Sequence, residues 1–424
     1  MHTLKEIYQD NEERNFIDPS LYSRYRVKAG LRNDNGTGVK VGLTKICDVI
    51  GYKIIHEKKY NIDGQLIYRG YPINYLVNKQ PSDKICGFEE TAYLLIFGTL
   101  PNAEQLKTFK DYLLNFKMGP VDLQYETPNI LNALQIEVLK LYAKDPSADT
   151  DDLEERMMKG LKILASIPLF TFSYARNKVF KSYPYPDRSL AENILCMARG
   201  NDQYTFEEAK IMDTLLMVHA DHGGGNNSTF ANVVISSTGT DIYSCISAAI
   251  GSLKGPKHGG ANCKVTNMFK AIFHEVGFTT DKATLKKIAN RILDKDFFDH
   301  SGLIYGIGHA IYTKSDPRAL LIHEQCEALA KSKGQEEIYN CIHAFEKVAI
   351  EVMKERKGID VCANVDYYSG YVYSLLGIES NLFTPLFAIS RTAGWVSHHL
   401  ENRQSNRKLI RPANVYVGEM EEIK

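Results

Sequence analysis

Apolar and polar positions follow two rhythms along this chain. Up to about residue 75 they form short strand-like runs: Val39 to Ile46, Lys53 to His56, and Leu66 to Arg69 after an Asp63-Gly64 turn signal. These predict a small sheet or hairpins. From Phe88 onward a helical period dominates. Thr205 and Glu208 make a capping-box pattern ahead of Ala209, Met212, Leu215 and Leu216, which share one helix face. Asp241 is placed to cap a helix to about Leu253. Its Ser, Ala and Gly positions suit a tightly packed core. Asp316-Pro317 opens another helix, with proline where a missing N–H costs nothing. Ile338, Ile342, Phe345, Val348 and Val352 repeat along a further helix that stops at Gly358. The expected fold is mainly α, with minor β near the N-terminus.

Composition narrows the class. The chain has 424 residues, room for about two or three domains. Hydrophobic residues make up 44% and charged residues 24%, an ordinary globular balance. Lys+Arg and Asp+Glu both number 51, so no net charge draws the protein to nucleic acid or to an anionic membrane. Any anion it binds must be met by locally placed cations. Apolar stretches such as Ala92 to Phe97 fall well short of a membrane span. The first residues, MHTLKEIYQDNEERNF, are polar and acidic, unlike a secretory signal or a transit peptide. The eight cysteines are scattered without a CxxC pair, which favours reduced thiols in a cytoplasm.

Four segments gather Gly, His, Asp and Arg between helices. They are His219-Ala220-Asp221-His222-Gly223-Gly224-Gly225-Asn226-Asn227, Lys254-Gly255-Pro256-Lys257-His258-Gly259-Gly260-Ala261-Asn262, Gly306-Ile307-Gly308-His309-Ala310-Ile311-Tyr312 leading to Asp316-Pro317-Arg318-Ala319, and Asn364-Val365-Asp366-Tyr367-Tyr368-Ser369-Gly370. Glycines beside a histidine let backbone approach a ligand. A histidine there can serve as donor, base or metal ligand.

In this order, GPKHGGAN, GIGHAIYTKSDPRA and NVDYYSG resemble citrate synthase. The resemblance runs from Asp63-Gly64 and Leu66-Ile67-Tyr68-Arg69-Gly70-Tyr71-Pro72-Ile73, through Phe88-Glu89-Glu90-Thr91-Ala92-Tyr93-Leu94-Leu95, to Arg411-Pro412. It implies a helical homodimer with a large domain (1–265 and 370–424), a small domain (266–369) and an active site in the cleft between them. The implied activity is condensation of acetyl-CoA with oxaloacetate to citrate and CoA, with no metal and no cofactor beyond the CoA of the substrate.

By the same resemblance Asp366 is the base that takes a methyl proton, and His258 donates to the thioester oxygen as the enolate develops. His309 polarises the oxaloacetate carbonyl and later assists hydrolysis of the citryl thioester. Arg318, Arg391 and Arg411 match the family's cations for the two carboxylates, with Arg411 reaching in from the other subunit, and His222 is a further oxaloacetate contact. Guanidinium suits a carboxylate better than ammonium does. One position departs from the pattern. Many relatives carry a basic residue four positions after the His309 equivalent to contact a CoA phosphate; here Thr313 stands there, with Lys314 next to it. No CoA-phosphate residue is assigned.

Blander roles compete at each position. His258 and His309 taken alone suit structural histidines. Asp366 could cap the helix that follows it, and His219 or His222 could bond only locally. Arg318 sits at a helix start, where the macrodipole disfavours a cation without an anionic partner; that supports a ligand role. Arg391 and Arg411 rest wholly on the resemblance. Three rival functions remain: a 2-methylcitrate synthase using propionyl-CoA, a metallohydrolase with His219, Asp221 and His222 as ligands, and a non-catalytic CoA- or carboxylate-binding relative.

Overall fold

The N-terminal sheet forms because one turn reverses the chain at His56-Glu57. Both residues take positive φ (47° and 63°), as a two-residue turn matched to hairpin twist requires. In this computed structural model, which describes residues 16–119, 127–405 and 408–418 together with Gln9 and Leu123, the turn joins β1 (Cys47–Ile55) to β2 (Lys58–Tyr68). A short β3 (Tyr71–Pro72) completes an antiparallel sheet in the order β1-β2-β3. The register slips between Ile50 and Tyr52, where Gly51 of β1 faces a bulge of β2 spanning Ile62 to Gly64.

Two sequence expectations fail here. Val39 to Ile46 makes no strand: Val41 and Leu43 are exposed, so the run has no buried face to pair behind. Asp63-Gly64 is no turn either, because it lies inside β2. Gly64 answers instead to a long-range contact described below.

Helices follow: α1 (Ile73–Asn78), α2 (Gly87–Phe97), α3 (Ala103–Leu114), α4 (Ile130–Ala143), α5 (Leu153–Ala175), α6 (Leu190–Arg199), α7 (Phe206–His219), α8 (Asn227–Ser236), α9 (Ile242–Leu253), α10 (Ala261–Val276), α11 (Lys282–Leu293), α12 (Pro317–Ser332), α13 (Glu336–Lys357), α14 (Val365–Leu375) and α15 (Phe383–Gln404). The expected caps are in place. Thr205 and Glu208 close a reciprocal capping box on α7, Asp241 accepts from Ser244 N–H on α9, and Gly358 ends α13 with left-handed backbone. The small residues of α9 let it lie close against α4, where Gln135 Nε2 donates to the Ser247 carbonyl at 3.0 Å.

One helix organises the core. Every side chain of α15 from Phe383 through His399 is buried, the mark of a helix surrounded by other helices. It packs against α2, α5, α7, α8 and α9. Buried apolar side chains from the hairpin to α15 form one continuous cluster.

Contacts divide the chain into two units, Thr44–Leu409 and the segments outside it. The larger holds the sheet and all labelled helices. In the terminal unit the described residues form a short helix (Ser20–Arg24), a 3-10 turn (Ala29–Leu31) and an isolated bridge between Arg32 and Gly38. All eight cysteines are free thiols. No helix of the described residues is long and apolar enough to cross a membrane.

Candidate active site

Five segments of the larger unit carry the candidate side chains, each fixed by the helix it adjoins. His222 follows α7, where Tyr68 pins the chain: its hydroxyl donates to the Asp221 carbonyl at 2.8 Å and accepts from Asp221 N–H at 3.1 Å. The Asp221 carboxylate faces His398 Nε2 at 3.1 Å. Burial would raise its proton affinity, but His398 and then Arg391 outweigh that and hold it down to about 2. His219 Nδ1 meets the Leu215 carbonyl at 2.7 Å. His219 and Asp221 therefore serve separate partners, and among the described residues no group of three or more His, Cys, Asp or Glu could hold a metal ion.

His222 itself is buried, and its Nε2 has no protein partner. Its ring stands edge-on to that of His309, with centroids 5.1 Å apart. Desolvation first, then the charges of Arg318, His309, Arg391 and His258, hold it well below the usual imidazole range. It is neutral at physiological pH.

Two more histidines have their tautomers set by backbone. His309 Nδ1 accepts from the N–H groups of Ile311 (3.0 Å) and Tyr312 (3.1 Å). In the neutral ring the proton then sits on Nε2. His258 Nε2 lies 3.0 Å from Ser228 Oγ and accepts from Ser228 N–H at 3.4 Å, which leaves its proton on Nδ1. Ser228 Oγ is steadied by Trp395 Nε1 at 3.2 Å and by Asn226 Oδ1 at 2.9 Å. Burial and Arg391 push His258 down to about 4. His258 is thus preset as a neutral donor through Nδ1–H, and His309 presents Nε2–H.

Asp366 lies in the first turn of α14 but does not cap it. Asn364 does, accepting from Asp366 N–H at 3.0 Å. The capping explanation for Asp366 is thereby replaced. Its carboxyl is buried with Oδ1 unpartnered. Burial lifts it to about 7, with Asp316 adding to the rise and Arg318 and Arg391 opposing it.

The two buried candidate arginines differ. Arg318 is clamped by Asp316, with Nε to Oδ1 at 3.0 Å and Nη2 to Oδ2 at 2.7 Å. The anionic partner that its helix-start position calls for is therefore inside the chain. Arg391, fully buried on α15, spends only Nε, on the His219 carbonyl at 2.7 Å. Both its Nη1 and Nη2 lack partners. A buried guanidinium fork without an acceptor is costly unless an anion completes it. Arg411 is exposed in the terminal unit. At the departing position, Thr313 Oγ1 is buried without a partner and Lys314 is exposed.

A family model described as citrate synthase, C-terminal domain, matches residues 33–413. The chain belongs to the citrate synthase family. It is accordingly an enzyme that transfers an acyl group, from a family that condenses acetyl-CoA with oxaloacetate. A citrate synthase of Haloferax volcanii is 37% identical over 386 residues, covering 87% of this chain and 94% of that protein. A 2-methylcitrate synthase of Corynebacterium glutamicum is 33% identical over 366 residues, covering 83% and 89%. Among solved structures, the ternary complex of carboxymethyl coenzyme A and oxaloacetate with citrate synthase from Thermoplasma acidophilum is similar at a TM-score of 0.77 and 26% identity, covering 94% and 98%.

For this citrate synthase-family chain, sequence reading named His222, His258, His309, Arg318, Arg391 and Asp366, and all lie in the larger unit. They share electrostatic neighbours: Arg391 bears on His222, His258 and Asp366, and Arg318 on His222 and Asp366. Sequence reading missed the supports. Ser228, Asn364 and the Asp316 carboxylate each fix a candidate group. The local signals of this kind were an Asn two residues ahead of Asp366 and an Asp two residues ahead of Arg318, each at a helix start.

Proposed function

We propose that the enzyme condenses acetyl-CoA with oxaloacetate and then hydrolyses the citryl thioester, giving citrate and CoA. The observation that carries this reading is Asp366: a buried carboxyl with Oδ1 enclosed and unpartnered, whose proton affinity sits near neutrality. Such a group is a base at physiological pH and has lost the hydration that would weaken it.

Asp366 takes a proton from the acetyl methyl while His258, through Nδ1–H, donates to the thioester oxygen. A neutral donor matches the developing enol better than a charged one that would titrate. The enol carbon attacks the oxaloacetate keto carbon. His309, through Nε2–H, polarises the keto oxygen and supplies the proton that makes it a hydroxyl. Water then cleaves the citryl thioester, with His309 assisting. Arg391 offers its open fork to one carboxylate, Arg318 and His222 serve the same substrate, and Arg411 is supplied by the partner subunit.

Residues 266–369 are proposed as a small domain that closes over the substrates and excludes water. It carries His309, Arg318 and Asp366, while His222, His258 and Arg391 lie outside it. Support for a homodimer comes from Ile136, Leu139 and Tyr142, apolar and exposed at i, i+3 and i+6 on α4. A cytoplasmic location fits eight free thiols.

Thiol release from acetyl-CoA, dependent on oxaloacetate, tests the activity. Asp366→Ala should abolish release while oxaloacetate still binds; near-normal turnover would refute the assignment. The Corynebacterium relative keeps a second reading in play, propionyl-CoA as acyl donor. An added methylene shifts discrimination by only about 1–3 kcal/mol, so parallel kcat/KM values for the two thioesters decide between them.

A further inference from the structure

The sheet touches the site at two glycines. At Gly51, opposite the β2 bulge, a side-chain carbon would collide with the Ile311 carbonyl oxygen and stand 2.9 Å from its carbon. At Gly64, one would collide with the Ser315 carbonyl oxygen and lie 2.7 Å from the Tyr312 ring and 3.0 Å from Pro317 Cδ. In both cases the first obstacle is backbone, which cannot swing aside. Two hydrogen bonds latch the same surfaces: Gly64 N–H to Ser315 Oγ at 3.1 Å, and Tyr312 hydroxyl to the Gln65 carbonyl at 3.2 Å.

What the sheet holds is the segment from His309 to Arg318. Ile311 and Tyr312 are the residues whose N–H groups fix His309 Nδ1. Tyr312 also stacks on the His309 ring, with centroids 4.7 Å apart. Ser315 directly precedes Asp316, the clamp on Arg318. Among the described residues the strands themselves carry no group that faces a substrate in the mechanism above.

We propose that the hairpin is a platform that sets the height of the 309–318 segment, with Gly51 and Gly64 as positioning residues acting through His309 and Arg318. This rests on the reading of His309 as the group that polarises the oxaloacetate carbonyl. It accounts for a glycine inside a strand, where the lost side chain otherwise only weakens the ladder.

The test compares Gly51→Ala and Gly64→Ala with the parent enzyme in turnover, in KM for each substrate, and in thermal midpoint. A shift of the segment by a fraction of an ångström should lower kcat about tenfold or more and raise the oxaloacetate KM. The acetyl-CoA KM should change less than the oxaloacetate KM, because His258 stands on another segment. Parental kcat and oxaloacetate KM in both variants would overturn the proposal. If the alanine variants do not fold, the double variant Tyr312→Phe/Ser315→Ala decides, since it opens the latch without adding bulk. A loss of about threefold or more in kcat/KM for oxaloacetate supports the platform, and no loss overturns it. Combined with His309→Gln, Gly64→Ala should cost little further turnover, whereas a fully additive loss would mean a merely structural glycine. His309→Gln at parental turnover would remove the reading of His309 itself, a result distinct from inactive His309→Gln beside normal glycine variants.

Discussion

Asn364 donates its side-chain amide to the Gly308 carbonyl at 2.8 Å, and so joins the start of α14 to the backbone just before His309. The same side chain accepts from Asp366 N–H at 3.0 Å, and Asn364 N–H reaches the Gly306 carbonyl at 2.8 Å. The proposed base and the proposed carbonyl-polarising group are therefore tied to each other by one residue. Asn364→Ala loses the cap, about 1 kcal/mol of stability, and unties the two segments. We expect kcat to fall about tenfold or more. Asn364→Asp keeps a capping oxygen but has no amide to offer Gly308, so it should melt near the parent and still lose turnover. Parallel melting curves and kcat values separate cap from tie.

The Asp366 carboxyl gives two pH signatures of known sign. As the proposed base it must be ionised, so kcat/KM for acetyl-CoA should rise as pH passes through about 7. His258, at about 4, titrates too low to account for that limb. Stability runs the other way. Below 3.8, the ordinary carboxyl value, folded and unfolded chains both hold the proton. Between 3.8 and about 7 the unfolded chain ionises first, and stability drops by up to about 4 kcal/mol. Above that range the deficit is constant. Asp366→Asn should therefore melt higher than the parent at pH 8 but not at pH 4, while losing activity throughout. Equal melting of the two proteins at pH 8 would contradict a buried, ionised Asp366.

Legibility in the sequence followed the range of each interaction. The caps of α7, α9 and α12 and the stop of α13 were readable because Thr205, Asp241, Asp316 and Gly358 act on neighbours a few residues away. Gly64 was misread as a turn because its reason lies 251 residues on, at Ser315. Val39 to Ile46 has strand composition but no buried face, and composition cannot report that. The site histidines, Asp366 and the buried arginines came from motif resemblance, which says nothing of what holds them. Ser228 is joined to His258 across 30 residues and to Trp395 across 167, so no local pattern marks it.

Ser228 offers a test of how the His258 tautomer is fixed. Its backbone N–H, not its hydroxyl, dictates that Nε2 accepts. Ser228→Ala keeps that N–H but strands the Trp395 indole N–H in a buried place, at a cost of about 1–3 kcal/mol. The variant should lose clear stability yet keep turnover within about tenfold of the parent, with an unchanged pH profile. His258→Ala removes the donor itself and should lower kcat about 100-fold or more. Comparable kcat losses in the two variants would assign the tautomer to the hydroxyl instead.

Arg391 makes the sharpest prediction about substrate binding. Its Nη1 and Nη2 are buried without acceptors, while Arg318 already has both oxygens of Asp316. An incoming carboxylate thus gains most at Arg391, where it satisfies a charge that folding has left open. Arg391→Lys keeps the charge but loses the two-pronged geometry. Its oxaloacetate affinity should weaken by about 1.5–3 kcal/mol, the worth of one hydrogen bond to a charged group. Binding raises the melting temperature of the parent, by about 2.7 kcal/mol of stability at a hundredfold excess over Kd. At the same concentration that shift should fall by about half or more in Arg391→Lys and persist more fully in Asp366→Asn, which keeps the carboxylate site and loses only the proposed base. A full shift in Arg391→Lys would place the carboxylate elsewhere in the cleft.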